Sequence, residues 1–351
     1  MNWAVVMAGG RGTRFWPESR TKTPKPFLKL LGKRSILEET VRRLSPLFPP
    51  SRILIVLQSD QVGEARRLLK RLPKENILGE PVGRNTAPCC LYAAAQIARR
   101  DPHAKFVFLP SDQFIRPQPL FLKTLRTAFK LADDRPVLLG MQPDAPHTGY
   151  GYLEVHKKKK IRGISYFRVA RFHEKPSLKK ARQFLKRGNF LWNGGTFVWT
   201  SDAFKQAIRR HLPRLYSSFE KLAPKHLNHA KLAKIYRALP SISLDYGVME
   251  KMKNVHCLLA PFEWKDLGGW LGLAEFWPKD GARNRFHGKT LFVKSRNNIV
   301  KSTKRLTALL GVEDFLVIDT PDALLVCPRN RTEEIRDLVR ELERKKESKY
   351  L

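Results

Sequence analysis

Short apolar runs alternate with amphipathic stretches over the first 140 residues, and this alternation limits the fold more than any other feature. The runs are Trp3–Met7, Arg52–Leu57, Lys105–Leu109 and Pro136–Gly140. Strand-like runs separated by segments of helical spacing are typical of a parallel sheet covered by helices. One such helix is predicted over Ala87–Arg100, with Thr86 as its N-cap. The sequence therefore predicts an α/β fold.

The pattern changes after Gly140. Gly/Tyr-rich, Asn/Gly-rich and Trp-rich pieces, with basic helices predicted over Leu178–Lys186 and Ser201–Arg210, indicate a sheet enlarged by substrate-binding insertions. The run Lys157–Lys160 favours a solvated loop. From Asn284 onward, short strand-like pieces with little helix between them predict a small all-β appendage. An amphipathic helix predicted over Thr332–Lys345 closes it. We expect two domains, residues 1–283 and 284–351.

Charge and cysteine usage limit the partners and the compartment. The chain of 351 residues has 67 Lys+Arg against 32 Asp+Glu, and a net charge of +35 attracts polyanions such as nucleotides, nucleic acid or acidic membrane. The four cysteines form no C-x-x-C pair, which favours a reducing compartment. The N-terminus does not resemble a signal peptide, and no run approaches the roughly 20 apolar residues of a membrane span. We expect a soluble, cytoplasmic protein.

The stretch Met7–Leu28 (MAGGRGTRFWPESRTKTPKPFL) follows the first predicted strand directly. Its backbone N–H groups at Gly9-Gly10-Arg11-Gly12 can form an anion-binding nest, because glycines leave the backbone open to a ligand. The stretch matches neither G-x-x-x-x-G-K-[ST] nor G-x-G-x-x-G. A tight turn at the end of a strand also favours glycine, so the residues alone leave both interpretations open.

Further segments decide between them. GGRGTRFWP and PKPFL resemble the signature of the sugar-1-phosphate nucleotidylyltransferases, and most of all the mannose-1-phosphate guanylyltransferases. Seven later segments resemble blocks of this family in the family's order. They are EPVGRNTAP (Glu80–Pro88), LPSDQFI (Leu109–Ile115), TGYGYLE (Thr148–Glu154), FHEKP (Phe172–Pro176), FLWNGGTFVW (Phe190–Trp199), LDYGVMEK (Leu244–Lys251) and WKDLGGW (Trp264–Trp270).

The resemblance covers nearly the whole chain and implies both fold and activity. It implies a Rossmann-like nucleotidyltransferase sheet with helices on both faces, followed by a small left-handed β-helix. The implied reaction transfers GMP from GTP to mannose-1-phosphate with Mg²⁺, and gives GDP-mannose and pyrophosphate. Some relatives continue into a phosphomannose isomerase domain, and that second activity is not expected of a chain that stops at Leu351.

The resemblance also assigns the residues around the triphosphate. Asp112 and Asp266 match the family's metal-binding aspartates, and their carboxylates belong to the hard oxygen ligands that Mg²⁺ prefers. Arg14 and Lys25 match basic residues that hold the triphosphate and the departing pyrophosphate. The nucleotide-binding residues in the opening stretch are Ala8, Gly9, Gly10, Gly12 and Thr13.

The base and the sugar phosphate are assigned in the same way. Gly83, Asn85 and Thr86 match the segment that contacts guanine and ribose. Lys175 matches the catalytic lysine that meets the sugar phosphate. Gly149, Glu174 and Asn193 match residues around the sugar, where a carboxylate and an amide suit hydroxyl groups. Gln113 stands where the family usually has histidine, which removes a titratable neighbour of Asp112.

Two alternatives stay beside this assignment. The same chemistry could use another sugar-1-phosphate or another nucleotide, because selectivity depends on a few pocket contacts. The net charge of +35 also suits a nucleic-acid-binding protein, although no recognisable reading motif accompanies it. The expected partners are GTP and mannose-1-phosphate, with no specific nucleic acid and no membrane, and the expected assembly is a homodimer.

Overall fold

The computed structural model describes residues 1–224 and 228–351. They form two compact units, each built from separate stretches of chain. The first unit contains Met1–Gly9, Thr40–Ser111 and Ile115–Trp264, and the second contains Gly10–Glu39, Asp112–Phe114 and Lys265–Leu351. These units are discontinuous in sequence and do not correspond to the predicted domains 1–283 and 284–351, so the boundary between residues 283 and 284 stays a prediction.

The strands and helices of the described residues are numbered in chain order. The strands are β1 (Asn2–Met7), β2 (Ile53–Gln58), β3 (Ile77–Glu80), β4 (Lys105–Pro110), β5 (Gln113–Arg116), β6 (Val137–Met141), β7 (Tyr152–Ile161), β8 (Ile164–His173), β9 (Phe190–Thr200), β10 (Val255–Leu259), β11 (Glu263–Asp266), β12 (Arg285–His287), β13 (Thr290–Val293), β14 (Ile299–Lys301), β15 (Thr307–Leu310), β16 (Phe315–Asp319) and β17 (Leu324–Pro328). The helices are α1 (Ile36–Leu44), α2 (Val62–Leu68), α3 (Thr86–Arg100), α4 (Gln118–Leu131), α5 (Leu178–Arg187), α6 (Ser201–His211), α7 (Pro213–Tyr216), α8 (Phe219–Leu222), α9 (His229–Ala238), α10 (Leu244–Gly247), α11 (Trp270–Ala274) and α12 (Ile335–Arg344).

The first unit is organised around a mixed sheet with the strand order β3-β2-β1-β4-β9-β6-β10-β8-β7. The strands β1 to β4 are mutually parallel, and Val5 of β1 is in register with Leu54 of β2 and Phe108 of β4. These strands read as continuous apolar runs because both faces of the sheet are covered. Their carboxyl ends share one edge, which is where ligands of such sheets bind.

The core of this unit joins the sheet to the helices. Ala93 and Ala95 of α3 are fully buried, and their small side chains let the helix lie close to the sheet. Phe204 of α6 packs against Phe106 and Phe108 of β4 with ring centroids 5.6 and 5.3 Å away. Each fully buried phenylalanine stabilises the fold by about 2 kcal/mol.

Three expectations from the sequence need correction in this unit. The sheet is not parallel throughout, because β9 runs antiparallel to β4 and β6, and β7 and β8 form a long hairpin. Lys157–Lys160 lies in β7 rather than in a loop: the four lysines are exposed, Lys159 and Lys160 pair with β8, and the register shifts between His156 and Lys159. The N-cap of α3 is Asn85, whose side chain accepts from the Thr86 amide at 2.8 Å. The Thr86 hydroxyl instead accepts from the Leu244 amide.

The second unit contains the all-β part of the chain. The strands β12, β14 and β16 stack in parallel, with Arg285, Ile299 and Leu316 in register, and β13 and β15 form a second parallel ladder. Short coils that stack parallel strands without crossover helices form a β-helix, in agreement with the predicted small all-β appendage. The antiparallel strand β17 borders β16.

Two buried asparagines connect successive coils of the β-helix. Asn298 donates to the Asn284 side-chain oxygen at 3.0 Å, and Asn284 donates to the Ser295 carbonyl at 2.9 Å. Asn298 also donates to the Val312 carbonyl at 2.7 Å. These amides satisfy backbone groups at the turns, where the ladder hydrogen bonds stop.

A second hydrophobic core lies in this unit. Phe15 and Trp270 meet edge to face at 5.3 Å, and Ile335 and Val339 of α12 belong to the same cluster. The closing helix begins at Ile335 rather than Thr332, because residues Arg329–Glu334 form a 3-10 helix. The helical spacing places Leu338 on one face with Ile335, Val339 and Leu342, but in the structure Leu338 is exposed, so the buried face of α12 is narrower than this pattern predicts. Among the helices of the described residues, none is long and apolar enough to cross a membrane.

Candidate active site

The glycine-rich loop of the second unit contains one glycine that the geometry requires. Gly12 has φ +72°, and a Cβ atom there would lie 2.2 Å from the Lys25 Cβ. A side chain at this position would therefore displace Lys25. Gly10 has open space around it and lies outside this constraint. The chain turns at Gly12 into a short 3-10 helix over Thr13–Phe15, which buries Phe15 and leaves the Arg14 side chain 41 % exposed.

Four of the predicted residues come together in this unit. The Lys25 ammonium lies 2.5 Å from the Asp112 carboxylate, and Arg14 Nε lies 2.9 Å from the Glu333 carboxylate. The charges of Asp112, Lys25, Arg14 and Glu333 all affect the pKa of Asp266. We name Arg14, Lys25, Asp112, Asp266 and Glu333 the triphosphate cluster.

Backbone contacts hold the two aspartates of this cluster. Asp112 follows β4 at the start of β5, and its carbonyl accepts from the Leu267 amide at 3.2 Å. Gly268 and Gly269 follow Asp266 and pack against Arg14. A Cβ on Gly268 would lie 3.1 Å from Asp266 Oδ2 and 3.8 Å from Arg14 Nη1. Burial first, and then the negative charge of Asp112, raise the pKa of Asp266 to about 6, while Lys25 and Arg14 oppose the rise.

The chemistry of these two carboxylates fits a divalent cation. An acid whose pKa is raised by a neighbouring acid gains from a cation placed beside it, and oxygen ligands suit Mg²⁺. In the described part of the chain, no group of three or more His, Cys, Asp or Glu side chains is arranged to hold a metal. Mg²⁺ needs few protein ligands, because it commonly keeps water and substrate phosphate oxygens around it.

The predicted base-binding segment lies in the first unit, after β3. Arg84 donates to the carbonyls of Tyr236 and Arg237, at 3.2 and 2.8 Å, and Thr86 accepts from Leu244 at 2.9 Å. Asn85 has φ +68° and ψ −172°, a backbone conformation that is usual only for glycine. These contacts fix the backbone of residues 83–86.

A buried carboxyl group at the end of β3 was missed in the sequence. Glu80 is 4 % exposed, and a Cβ on Gly9 would lie 3.3 Å from its Oε2. Burial raises the pKa of Glu80 to about 8, and the Tyr236 hydroxyl opposes this rise. Glu80 therefore carries a proton at neutral pH and lies beside the predicted nucleotide-binding loop residue Gly9.

The predicted sugar residues meet elsewhere in the first unit. Asn193 donates to Asp245 at 2.9 Å, and its side-chain oxygen accepts from the Gly195 amide at 3.1 Å. Lys175 pairs with Glu174 at 3.1 Å, and the Glu174 amide donates to Glu250 at 2.9 Å. We name Glu174, Lys175, Asn193, Asp245 and Glu250 the sugar cluster.

Close approach of the backbone shapes the sugar cluster. A Cβ on Gly151 would lie 2.6 Å from Glu174 Oε2, and the Gly151 carbonyl accepts from the Asn193 amide at 2.8 Å. Gly149, in contrast, has open space around it. Burial, and then the charge of Glu174, raise the pKa of Asp245 to about 6. Burial also raises the pKa of Glu174, against the effect of Lys175.

Three acids of these clusters, and Glu80 beside Gly9, received no site role from the sequence. Asp245 and Glu250 lie inside LDYGVMEK, so their signal was present as a block without an assigned function. Glu80 begins EPVGRNTAP in the same way. Glu333 has no such signal, because its partner Arg14 is more than 300 residues away in the chain.

Comparisons with known proteins identify the class to which this fold and these clusters belong. The family described as Nucleotidyl transferase matches residues 3–282, and the family described as MannoseP isomerase/GMP-like beta-helix domain matches residues 288–342. The chain belongs to the nucleotidyl transferase family.

Relatives narrow the family further. Mannose-1-phosphate guanylyltransferases from Escherichia coli and Klebsiella pneumoniae are each 34 % identical over 353 residues, which cover 99 % of this chain and 75 % of theirs. A crystal structure from Thermus thermophilus, described as mannose-1-phosphate geranyltransferase, superposes with a TM-score of 0.87 at 34 % identity. That match covers 97 % of this chain and 99 % of the other. Within the nucleotidyl transferases, this chain belongs to the mannose-1-phosphate guanylyltransferases. The predicted family, fold class and enzyme class are confirmed.

Proposed function

We propose that the chain transfers GMP from GTP to mannose-1-phosphate, with Mg²⁺ bound at Asp112 and Asp266. The observation that carries the proposal is the triphosphate cluster, where Arg14 and Lys25 of the loop that turns at Gly12 lie close to the carboxylates of Asp112 and Asp266. Cations beside a glycine-rich turn suit the charge of a triphosphate, and paired carboxylates suit the cation that accompanies it. The names of the relatives supply the base and the sugar.

The residues of the triphosphate cluster would divide the work as follows. When bound, Mg²⁺ supplies positive charge to phosphate oxygens. A sugar phosphate oxygen forms the new bond to the α-phosphorus, and the bond from that phosphorus to the bridging oxygen breaks. The electron pair leaves with pyrophosphate. Arg14 and Lys25 stabilise the charge that grows on this leaving group, which is where electrostatic help is most effective.

The first unit would bind the other parts of the substrates. Lys175, with half of its side chain exposed, meets the sugar phosphate as a point charge. Glu174 accepts from sugar hydroxyls, and Asn193 has one amide hydrogen and one oxygen lone pair beyond its two internal bonds. Gly149 leaves room for the ring.

The nucleotide would meet the backbone of two loops. Gly83, Asn85 and Thr86 contact guanine and ribose. The backbone N–H groups of the opening loop face the triphosphate, and this loop comprises Ala8, Gly9, Gly10, Gly12 and Thr13.

A pyrophosphate-release assay over a substrate panel tests the proposal. GTP, ATP and UTP are each combined with mannose-1-phosphate and glucose-1-phosphate, with MgCl₂ and with EDTA. GTP with mannose-1-phosphate should be fastest, and EDTA should stop the reaction. Faster release from ATP or UTP with glucose-1-phosphate would assign the same chemistry to other substrates and overturn this choice.

The nucleic-acid alternative predicts a different result. Incidental attraction of polyanions to a chain of charge +35 gives weak binding that decreases steeply with salt. Sequence-selective binding at physiological salt would contradict our proposal. The homodimer and the cytoplasmic location stay predictions, which size-exclusion chromatography and cell fractionation test.

A further inference from the structure

The Arg14 side chain has two differently occupied edges. Its Nε faces Glu333 Oε2 at 2.9 Å. Its Nη1 lies beside Gly268: a Cβ atom built on Gly268 would be 3.8 Å from Arg14 Nη1 and 3.1 Å from Asp266 Oδ2. The guanidinium is planar and rigid, so an acid that holds the Nε edge also sets the direction of the terminal nitrogens.

Glu333 itself stands on a well-anchored segment. It belongs to the 3-10 helix Arg329–Glu334, between the buried Thr332 and the buried Ile335. The Thr332 hydroxyl donates to the Arg329 carbonyl at 3.2 Å. Ile335 packs in the same core as Phe15, the residue next to Arg14. Both partners of the ion pair are therefore held by one hydrophobic cluster.

The neighbour of Glu333 provides an internal comparison. Glu334 pairs with Arg331, three residues before it, and that pair lies on the surface. The two glutamates are adjacent in sequence and similarly exposed, at 63 % and 50 % of their side chains, but only Glu333 contacts a residue of the triphosphate cluster.

We propose that Glu333 is a positioning residue for the reaction, which binds the Nε edge of Arg14 and leaves its two terminal nitrogens directed at the triphosphate. This inference rests on the proposed role of Arg14. It makes the C-terminal segment a working part of the triphosphate cluster, in addition to its place in the β-helix unit. A surface ion pair without this role would contribute little, because exposed pairs stabilise proteins only weakly.

The test compares Glu333→Gln with Glu334→Gln. Glu333→Gln should lower kcat about three- to fivefold, because an exposed charge pair contributes at most about a factor of five. Its melting temperature and its KM for mannose-1-phosphate should stay unchanged. Glu334→Gln should keep the wild-type kcat. Equal kcat in the two variants, or a loss of kcat that is matched by a loss of thermal stability, would overturn the proposal.

Coupling to Arg14 separates positioning from other effects. In an Arg14→Lys background the Nε edge is absent, so adding Glu333→Gln should change kcat by less than about 1.5-fold. An undiminished effect in that background would contradict positioning. Calorimetry with magnesium pyrophosphate gives a readout without turnover, and Glu333→Gln should weaken this binding two- to threefold. Tighter binding would mean that Glu333 only repels the ligand.

The assay also separates this proposal from the proposed function. Kinetics use whichever nucleotide and sugar phosphate the wild-type protein turns over fastest. A wild type that prefers another pair contradicts the proposed substrates, while the ratio between the Glu333 and Glu334 variants still tests positioning. If the wild type has no activity with any pair, the pyrophosphate calorimetry decides alone.

Discussion

The triphosphate cluster and the sugar cluster each contain three acids, but two cations accompany the acids of the first and one lysine accompanies those of the second. In the triphosphate cluster, Lys25 faces Asp112 and Arg14 faces Glu333. In the sugar cluster, Lys175 pairs with Glu174, and Asp245 has the neutral amide of Asn193 as a hydrogen-bond partner. A triphosphate needs cations, whereas the hydroxyls of a sugar need acceptors. The difference indicates which ligand each cluster suits.

Burial affects the acids of both clusters, and the compensation differs. The rise in the pKa of Asp266 is opposed by two nearby cations, Lys25 and Arg14. The rise in the pKa of Asp245 is opposed mainly by hydrogen bonds, from its own backbone and from Asn193, with Lys175 as the smallest effect. Removing one charged side chain should therefore have different consequences in the triphosphate cluster and in the sugar cluster.

The largest expected effect tests the carboxylates of the triphosphate cluster. Asp112→Asn and Asp266→Asn should each lower turnover at least about 10³-fold, because an amide is a weak ligand for a divalent cation and leaves phosphate charge unbalanced. Pyrophosphate release at saturating Mg²⁺ measures this, with thermal melting to check the fold.

The exposed Asp60 supplies the control for this pair. Asp60→Asn should keep both activity and melting temperature. Near-normal magnesium-dependent turnover in both cluster variants would remove the metal site and, with it, the charge balance on which the comparison depends.

The second prediction compares two glycines of the same loop. Gly12→Ala should cost about 3 kcal/mol of stability, because Gly12 has φ +72° and its Cβ would meet the Lys25 Cβ at 2.2 Å. It should also lower turnover at least tenfold through displaced Lys25. Gly10→Ala has open space and should leave the free energy of unfolding unchanged.

Denaturant unfolding of the two variants checks this prediction. Equal stability would show that the loop is free to rearrange and that it does not hold Lys25 against Asp112. A loss of GTP affinity in Gly10→Ala without a loss of stability would support backbone contact with the phosphates.

The two regions also differ in how much the sequence could predict. Motif blocks predicted Arg14, Lys25, Asp112 and Asp266 as parts of one site, and the structure brings their side chains together, while their roles stay predictions. Glu333 could not be found, because its contact depends on how the C-terminal segment folds back to Phe15 and Trp270. Propensity alone likewise could not place β9 antiparallel, since strand direction depends on the pairing of residues far apart in the chain.

The β-helix is a second region whose architecture could not be predicted from local sequence patterns alone. The stacked asparagines Asn284 and Asn298 would be a repeat signal, but the coils differ in length and hide the period. The family block supplied the architecture that the repeat did not. Local pattern thus predicted most elements, and the contacts between distant segments had to come from the structure.

The third prediction concerns Glu80, a buried acid of the first unit without a cation opposing its shift. Its pKa is raised from 4.5 to about 8, so the folded state keeps the proton that the unfolded state loses. Its favourable contribution is complete below pH 4.5 and is lost as the pH rises towards 8. Glu80→Gln should therefore gain about 3 kcal/mol relative to wild type as the pH rises from about 4.5 to about 7.5.

Unfolding measured at several pH values tests the Glu80 prediction. The exposed Glu75 provides a matched control, and Glu75→Gln should follow the wild type at every pH. A stability difference between Glu80→Gln and wild type that does not change with pH would show that Glu80 ionises normally. Burial of the Glu80 carboxylate in the first unit would then cost less free energy than its raised pKa implies.

The smallest expected effect tests the sugar cluster itself. Asp245→Asn keeps an oxygen that can accept from Asn193 but loses the charge, so the orientation of Asn193 should weaken. We expect the KM for mannose-1-phosphate to rise about fivefold at about pH 8, with the KM for GTP unchanged. The pKa of Asp245 is raised to about 6, so its carboxylate is ionised above that pH and protonates below it. The difference in KM between the variant and the wild type should therefore disappear at about pH 5.5.

The exposed Asp202 gives the control Asp202→Asn. A rise in the KM for GTP, or a gap that persists in acid, would mean that Asp245 does not serve the sugar through its charge.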